Sequence, residues 1–219
     1  MRLPIDIAHI LGMSKRASRA ERRNYGFRGT VVRRTSSCTY VALLRGVNVG
    51  GSNTISMTSL KLSFERLGLE DVRTFINSGN ILFRSAGSNA SALERRIDRV
   101  LAREHGLSSK AIVRTEAEMA RVVKTIAVRW KLDPRWKYNV MFLRRTIDSP
   151  RVLDGIALKP DIERVIYCPG TLLWSARLNG LSRTAMLKLV GQPIYQEMTV
   201  RGVNTTTKIL ELMRRMRGV

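Results

Sequence analysis

The sequence predicts an α+β fold of two ferredoxin-like (βαββαβ) subdomains in tandem, with a connecting helix between them and a helix at the C-terminus. Three observations lead there. From Thr39 onward, short β-prone apolar runs alternate with stretches of helical periodicity. Two pairs of those runs are joined by tight turns, Ser78-Gly79 and Pro169-Gly170, as in hairpins. The order strand, helix, strand, strand, helix, strand occurs over 39–115 and recurs within 116–219. The expected organisation is therefore a basic extension (1–38), a first subdomain (39–115) and a second (116–219).

Each element has its own local reason. Thr39–Arg45 (TYVALLR) is an apolar, β-prone run stopped by Gly46, hence a strand. Ser56 can cap the helix that follows, MTSLKLSFERLG, which places Leu60, Phe64 and Leu67 on one side and ends at Gly68. VRTFIN and NILFRS flank Ser78-Gly79 as a hairpin. Ser91–Gly106 is amphipathic, with Leu93, Ile97, Val100 and Leu101 opposite Arg95, Arg96, Asp98 and Arg99. Lys110–Arg114 closes the first unit as a strand, and Glu116–Val128 is the connecting helix.

In the second unit, Tyr138–Arg144 is a strand, Pro150–Leu158 a helix, and Arg164–Cys168 and Thr171–Ala176 a strand pair. Ser182–Val190 is a helix, Glu197–Arg201 a strand, and Thr205–Met216 a helix striped by Ile209, Leu212, Met213 and Met216. The repeat is one of element order, without convincing self-similarity of residues.

Charge and pattern are decoupled along the chain. The 219 residues carry 39 Lys+Arg against 17 Asp+Glu, a net +22. Of this, +7 lies in residues 1–38 and +9 in 131–219, while 39–90, the best-patterned stretch, carries only +2. Residues 1–38 suit a disordered basic tail, or an arm that adds salt-sensitive attraction to polyanions. The apolar runs are too short for a membrane span, and the two cysteines, Cys38 and Cys168, form no CxxC pair. A reducing, cytoplasmic setting without a membrane partner is expected.

Two loops stand out. RGVNVGG, Arg45–Gly51, joins the first strand to the first helix. It matches neither GxGxxG nor the P-loop, yet a glycine-rich loop feeding a helix can aim free N–H groups at an anion. NSGN, Asn77–Asn80, forms the hairpin turn. In a split βαβ unit both emerge at one sheet edge, so the candidate ligand-binding residues are Arg45, Gly46, Asn48, Gly50, Gly51, Asn77, Ser78, Gly79 and Asn80. A mutually satisfied network that shapes the turns would use the same residue types.

Catalytic machinery is thin. The only histidines are His9 and His105, the latter at a helix end, so classical histidine chemistry is excluded. No catalytic residue, metal site or cofactor is expected. The basic last third offers Arg183, Arg201, Asn204 and Lys208 as possible anion or nucleic-acid contacts. The third strand, NILFRS, lacks the aromatic pattern of an RNA-recognition motif, and Trp130, Trp136 and Trp174 suit core or interface positions equally well.

TYVALLRGVNVGG, followed by VRTFINSGNILF, closely resembles the N-terminal signature of a bacterial family, domain-of-unknown-function family 1697. RGVNTTTKILEL is similar to that family's RNWNTxxKLLEL segment: Arg201, Asn204, Thr205 and Lys208 match, while Gly202 and Val203 replace Asn-Trp. GLSRTAML is similar to its GxxRSKL, with Ala185 where a lysine is usual. The resemblance implies a two-subdomain α+β fold and no established activity. The function expected is a non-enzymatic module for a polar or phosphate-bearing small molecule at the loop edge. Nucleic-acid association through the last third is the alternative, and an enzyme of unknown reaction a second one.

Overall fold

In the computed structural model, strand β1 (Ser37–Leu44) is apolar at consecutive positions because both of its faces are buried. Residues 37–48, 54–86, 89–108, 110–154 and 156–217 are described, and all lie in one compact unit, Arg34–Val219. The expected N-terminal extension falls outside them except for Ser37 and Cys38, which already belong to β1.

The first half continues with α1 (Met57–Arg66), β2 (Glu70–Phe75), β3 (Asn80–Ala86), α2 (Ala90–His105) and β4 (Ala111–Thr115). Ser56 caps α1 as expected, its Oγ accepting from Ser59 N, and α2 is capped by Asn89, whose Oδ1 accepts from Ala92 N. Helix α3 (Glu116–Arg129) opens on a capping box of Thr115 and Glu118. The second half comprises β5 (Trp136–Leu143), β6 (Glu163–Cys168), β7 (Thr171–Arg177), α4 (Ala185–Val190), β8 (Met198–Gly202) and α5 (Val203–Arg217).

The strands form two four-stranded antiparallel sheets, ordered β2-β3-β1-β4 and β6-β7-β5-β8. On the outer face of the first sheet, Ala42, Leu44, Ile81 and Phe83 pack against Leu60 and Phe64 of α1 and Ile97 and Leu101 of α2. Its inner face (Val41, Leu43, Leu82, Ile112) shares one core with Val140, Phe142 and Leu173 of the second sheet. Met119, Val122 and Ile126 of α3 and Ile209, Leu210 and Met213 of α5 belong to the same core. Each fully buried side chain of this size contributes about 1.5–3 kcal/mol. The other face of the second sheet packs Met141, Leu143, Leu172 and Trp174 against Val152, Leu189 and Met198.

Three expectations are corrected. The helix over Pro150–Leu158 is a single 3-10 turn, Pro150–Leu153, capped by Ser149; Gly155 and Pro160 punctuate the segment too closely for an α-helix to propagate. The helix over Ser182–Val190 splits into a 3-10 segment, Leu178–Arg183, and α4, with extended Thr184 between them. Strand β2 ends at Phe75, so the hairpin turn begins at Ile76.

Candidate functional site

The described part of the first loop, Arg45–Asn48, does meet NSGN. Leu44 N donates to Gly79 O (2.8 Å), and the turn approaches β1 so closely that a Cβ on Gly79 would lie 2.8 Å from Leu44 Cβ. Asn48, in the left-handed region at φ 55°, staples the two loops: its Nδ2 donates to Ile55 O and Asn77 O (both 3.0 Å), and its Oδ1 accepts from Ile55 N (2.7 Å). Asn80 is fully buried, donating to Phe75 O and Ser78 Oγ. Arg45 reaches the second half, with its guanidinium 4.9 Å from the Tyr195 ring centroid and Nη1 2.5 Å from Gln196 Oε1. Gly50 and Gly51 lie outside the described residues.

An unexpected residue completes this edge. Arg201 on β8, named in the sequence only as an anion contact, is buried and turned inward. Nε donates to Asn80 Oδ1 (2.6 Å), Nη1 to Thr199 Oγ1 and Val200 O, and Nη2 to Leu44 O (2.8 Å) and Ser78 O (3.0 Å). Its donors are consumed by the protein itself. Burial holds its pKa down to about 10, and no carboxylate pairs with it among the described residues.

Arg114 on β4 does the same in reverse. It faces Val41 across β1 as Arg201 faces Val140 across β5, and it donates to Leu143 O and Gly170 O. Each half thus inserts a buried arginine into the hairpin turn of the other. Burial lowers the Arg114 pKa too, but Glu94 lies 3.8 Å away as a counterion. The halves do share a residue-level repeat, and its signal is in the sequence: VALLR and VMFLR, then AIVRT and MTVRG.

Asn48, Thr54, Ile55, Ser56, Met57 and Asn77 line an open groove of about 560 Å³ at this edge, beside the N-terminus of α1. Ile76, half-exposed at the rim, holds φ 50°, a conformation strongly disfavoured for a β-branched residue.

A second polar cluster pairs Ser63 with His105, Oγ to Nε2 2.9 Å. Glu104 Oε2 lies 2.8 Å from the same hydroxyl, and Arg66 and Arg103 hold that carboxylate down to a pKa of about 2. A nucleophilic triad needs the base between hydroxyl and carboxylate, with the hydroxyl open to substrate. Here the carboxylate bonds the serine and the arginines, and Ser63 is only 1% exposed. The cluster clasps α1 to α2 and has no catalytic geometry.

The remaining candidate anion or nucleic-acid contacts are exposed: Arg183 before α4, and Asn204 and Lys208 on α5, where Lys208 pairs with Glu211 (2.7 Å). An aromatic groove of about 550 Å³ opens at the start of β5, where Trp130 and Tyr138 rings lie 4.9 Å apart. Beside them, Arg164 and Arg177 sit 5.2 and 5.3 Å from the Trp136 centroid. A groove of about 510 Å³ shares Trp136 and Tyr138 and continues to Asn204 and Thr205.

Residues 38–174 match the family model described as "Protein of unknown function (DUF1697)". The chain belongs to this family. The match takes in both signature loops and stops short of the C-terminal motifs. The fold is also similar to that of conserved bacterial protein SP0830 from Streptococcus pneumoniae, with a TM-score of 0.71 and 26% identity over 81% of this chain and 99% of that one. No curated protein matches the sequence. Among the described residues, no group of three or more His, Cys, Asp or Glu could hold a metal ion, and no helix is long and apolar enough to cross a membrane.

Proposed function

We propose that this DUF1697 protein is a non-enzymatic binding module that holds a small polar or phosphate-bearing ligand in the groove between Asn48, Asn77 and the first turn of α1. The observation that carries the reading is the uncompensated Arg201 guanidinium behind it. Arg201 grips Ser78 O, on the residue that follows the groove-lining Asn77. A buried cation without a counterion projects its field outward with little screening, so an anion in the groove completes the charge balance.

Strain at Ile76 supports the same reading, because such conformations concentrate at binding sites. The division of labour differs from a simple ring of donors: Asn48, Asn80 and Arg201 shape the edge, while Asn77 faces the ligand. Matching strand orders support taking the halves as tandem ferredoxin-like units, and the free cysteines suit a reducing, cytoplasmic setting.

Thermal melts of the full chain with inorganic phosphate, pyrophosphate and a nucleoside monophosphate test this. At least one should raise the Tm, and Asn77→Asp, which adds a negative charge at an exposed rim position, should abolish the rise without lowering the ligand-free Tm. A rise unchanged in Asn77→Asp would sink the reading. A second reading, association with nucleic acid through the basic last third, is favoured by the aromatic groove on the second sheet and not by Arg201, whose donors are occupied.

A further inference from the structure

We propose that the groove at the start of β5 is a binding site for single-stranded nucleic acid, with bases stacked on the Trp130–Tyr138 pair and phosphates held by Arg164 and Arg177. The inference rests on the second reading above and gives it a location and a ligand class.

The argument begins with sheet periodicity. Trp136, Tyr138, Val140 and Phe142 are every second residue of β5, so Trp136 and Tyr138 share the face that builds the inter-sheet core. Helix α3 ends at Arg129 and leaves this end of the face open. Ser175 and Arg177 on β7 and Arg164 and Ile166 on β6 present their side chains to the same opening. A sheet face of this kind, with aromatics on a central strand and cations on its neighbours, suits unpaired bases.

The charges are arranged for a polyanion. Arg164 and Arg177 are exposed, form no ion pair with a carboxylate among the described residues, and are steadied against the Trp136 ring by cation–π attraction. Their N–H edges are left for phosphate oxygens. Arg129 and Lys131 add positive charge at the rim. The one carboxylate in the groove, Asp133, is chelated by Arg135 through three contacts of 2.7–3.2 Å, which offsets its repulsion.

The aromatic floor selects for unpaired bases. Trp130 and Tyr138 are tilted 56° to each other, and the Tyr138 hydroxyl is anchored between Lys131 O and Asp133 N. The rings are thus held in place before a base arrives. The second groove extends the path past Trp136 to Asn204, so more than one nucleotide is accommodated. A duplex has its base faces stacked internally and cannot use this floor.

The test is fluorescence anisotropy of the full chain with labelled 15-nucleotide oligothymidylate and oligouridylate, a duplex of equal length, and a heparin fragment as competitor. Single strands should bind at least 10-fold more tightly than the duplex. They should also quench tryptophan emission, since Trp130 and Trp136 line the groove and Trp174 is buried. The Arg164→Gln/Arg177→Gln double variant should lose about 10-fold in affinity, with a salt slope shallower by about 1.4 for two phosphate contacts. Arg95→Gln/Lys124→Gln, an equal charge loss elsewhere, should bind as the unaltered chain does.

Equal loss in both double variants, equal affinity for the duplex, or heparin competing as well as an unlabelled strand would overturn the assignment. The heparin result would leave general polyanion association standing. None of these outcomes bears on the Asn77 groove, whose test uses small anions.

Discussion

Ile76 stands at the centre of the residue-scale account. A left-handed conformation costs an ordinary L-residue roughly 1–2 kcal/mol, and glycine at the same position gives back about 0.5–1 kcal/mol through the greater entropy of its unfolded chain. Ile76 is half-exposed, so little burial is lost on truncation. Ile76→Gly should therefore stabilise the protein by about 0.5–1 kcal/mol, seen as a higher denaturant midpoint at unchanged slope. A midpoint unmoved or lowered would show that the turn stores no strain. Arg114 and Arg201 make the complementary point. Both bury a guanidinium on backbone carbonyls, yet only Arg114 has a carboxylate at hand, and that asymmetry places unbalanced charge beside the Asn77 groove and not beside the opposite turn.

At the scale of elements, the clasp between α1 and α2 is acid-sensitive with a definite sign. The guanidinium groups of Arg66 and Arg103 hold Glu104 down to about 2, from an ordinary 4.5. Its stabilising contribution is thus complete above the ordinary value and is lost as pH falls from 4.5 toward 2. Burial lowers the His105 pKa below its ordinary 6.5, so the folded state favours the neutral ring. That contribution also disappears as pH falls, beginning near 6.5. Thermal melts between pH 7.5 and 2.5 should show the Tm declining across both windows. His105→Gln should flatten the upper part and Glu104→Gln the lower, and parallel curves for both variants would remove the clasp from the account. Helix α3 depends on its capping box instead, whose Glu118 stays low chiefly because the Thr115 backbone N–H and nearby arginines outweigh its burial.

For the whole molecule, the decisive feature is the core shared by the two sheets through α3 and α5. Val41, Leu43 and Ile112 from the first half and Val140 and Phe142 from the second bury one another's apolar surface together with Ile209 and Met213. Neither sheet can be uncovered on that face without exposing the other. Heating should produce one calorimetric transition with matching calorimetric and van't Hoff enthalpies, and Met213→Ala should lower it as a unit by about 2–5 kcal/mol of stability. Two separated transitions would mean that 39–115 and 116–219 are independent domains.

Most elements were legible in the sequence because their causes are local. Apolar spacing, Ser56, Gly68 and Gly106 locate α1 and α2 within one or two residues, and the run TYVALLR marks a strand. The meeting of Arg45–Asn48 with NSGN also followed, because chain order alone carries both to one edge. The misplaced helix at Pro150–Leu158 shows the limit of periodicity in a short, punctuated segment. What only the tertiary structure decided depends on partners far apart in sequence. Arg201 was a surface cation until β8 carried it under Asn80, 121 residues away. Ser63 and His105 meet only because α1 and α2 pack on the same face. Trp136 became part of a groove only when α3 ended short of it. The physical reason is common to all three: local pattern sets which face of an element is buried, while the use of a polar group is set by whichever distant group supplies its missing hydrogen bond or charge.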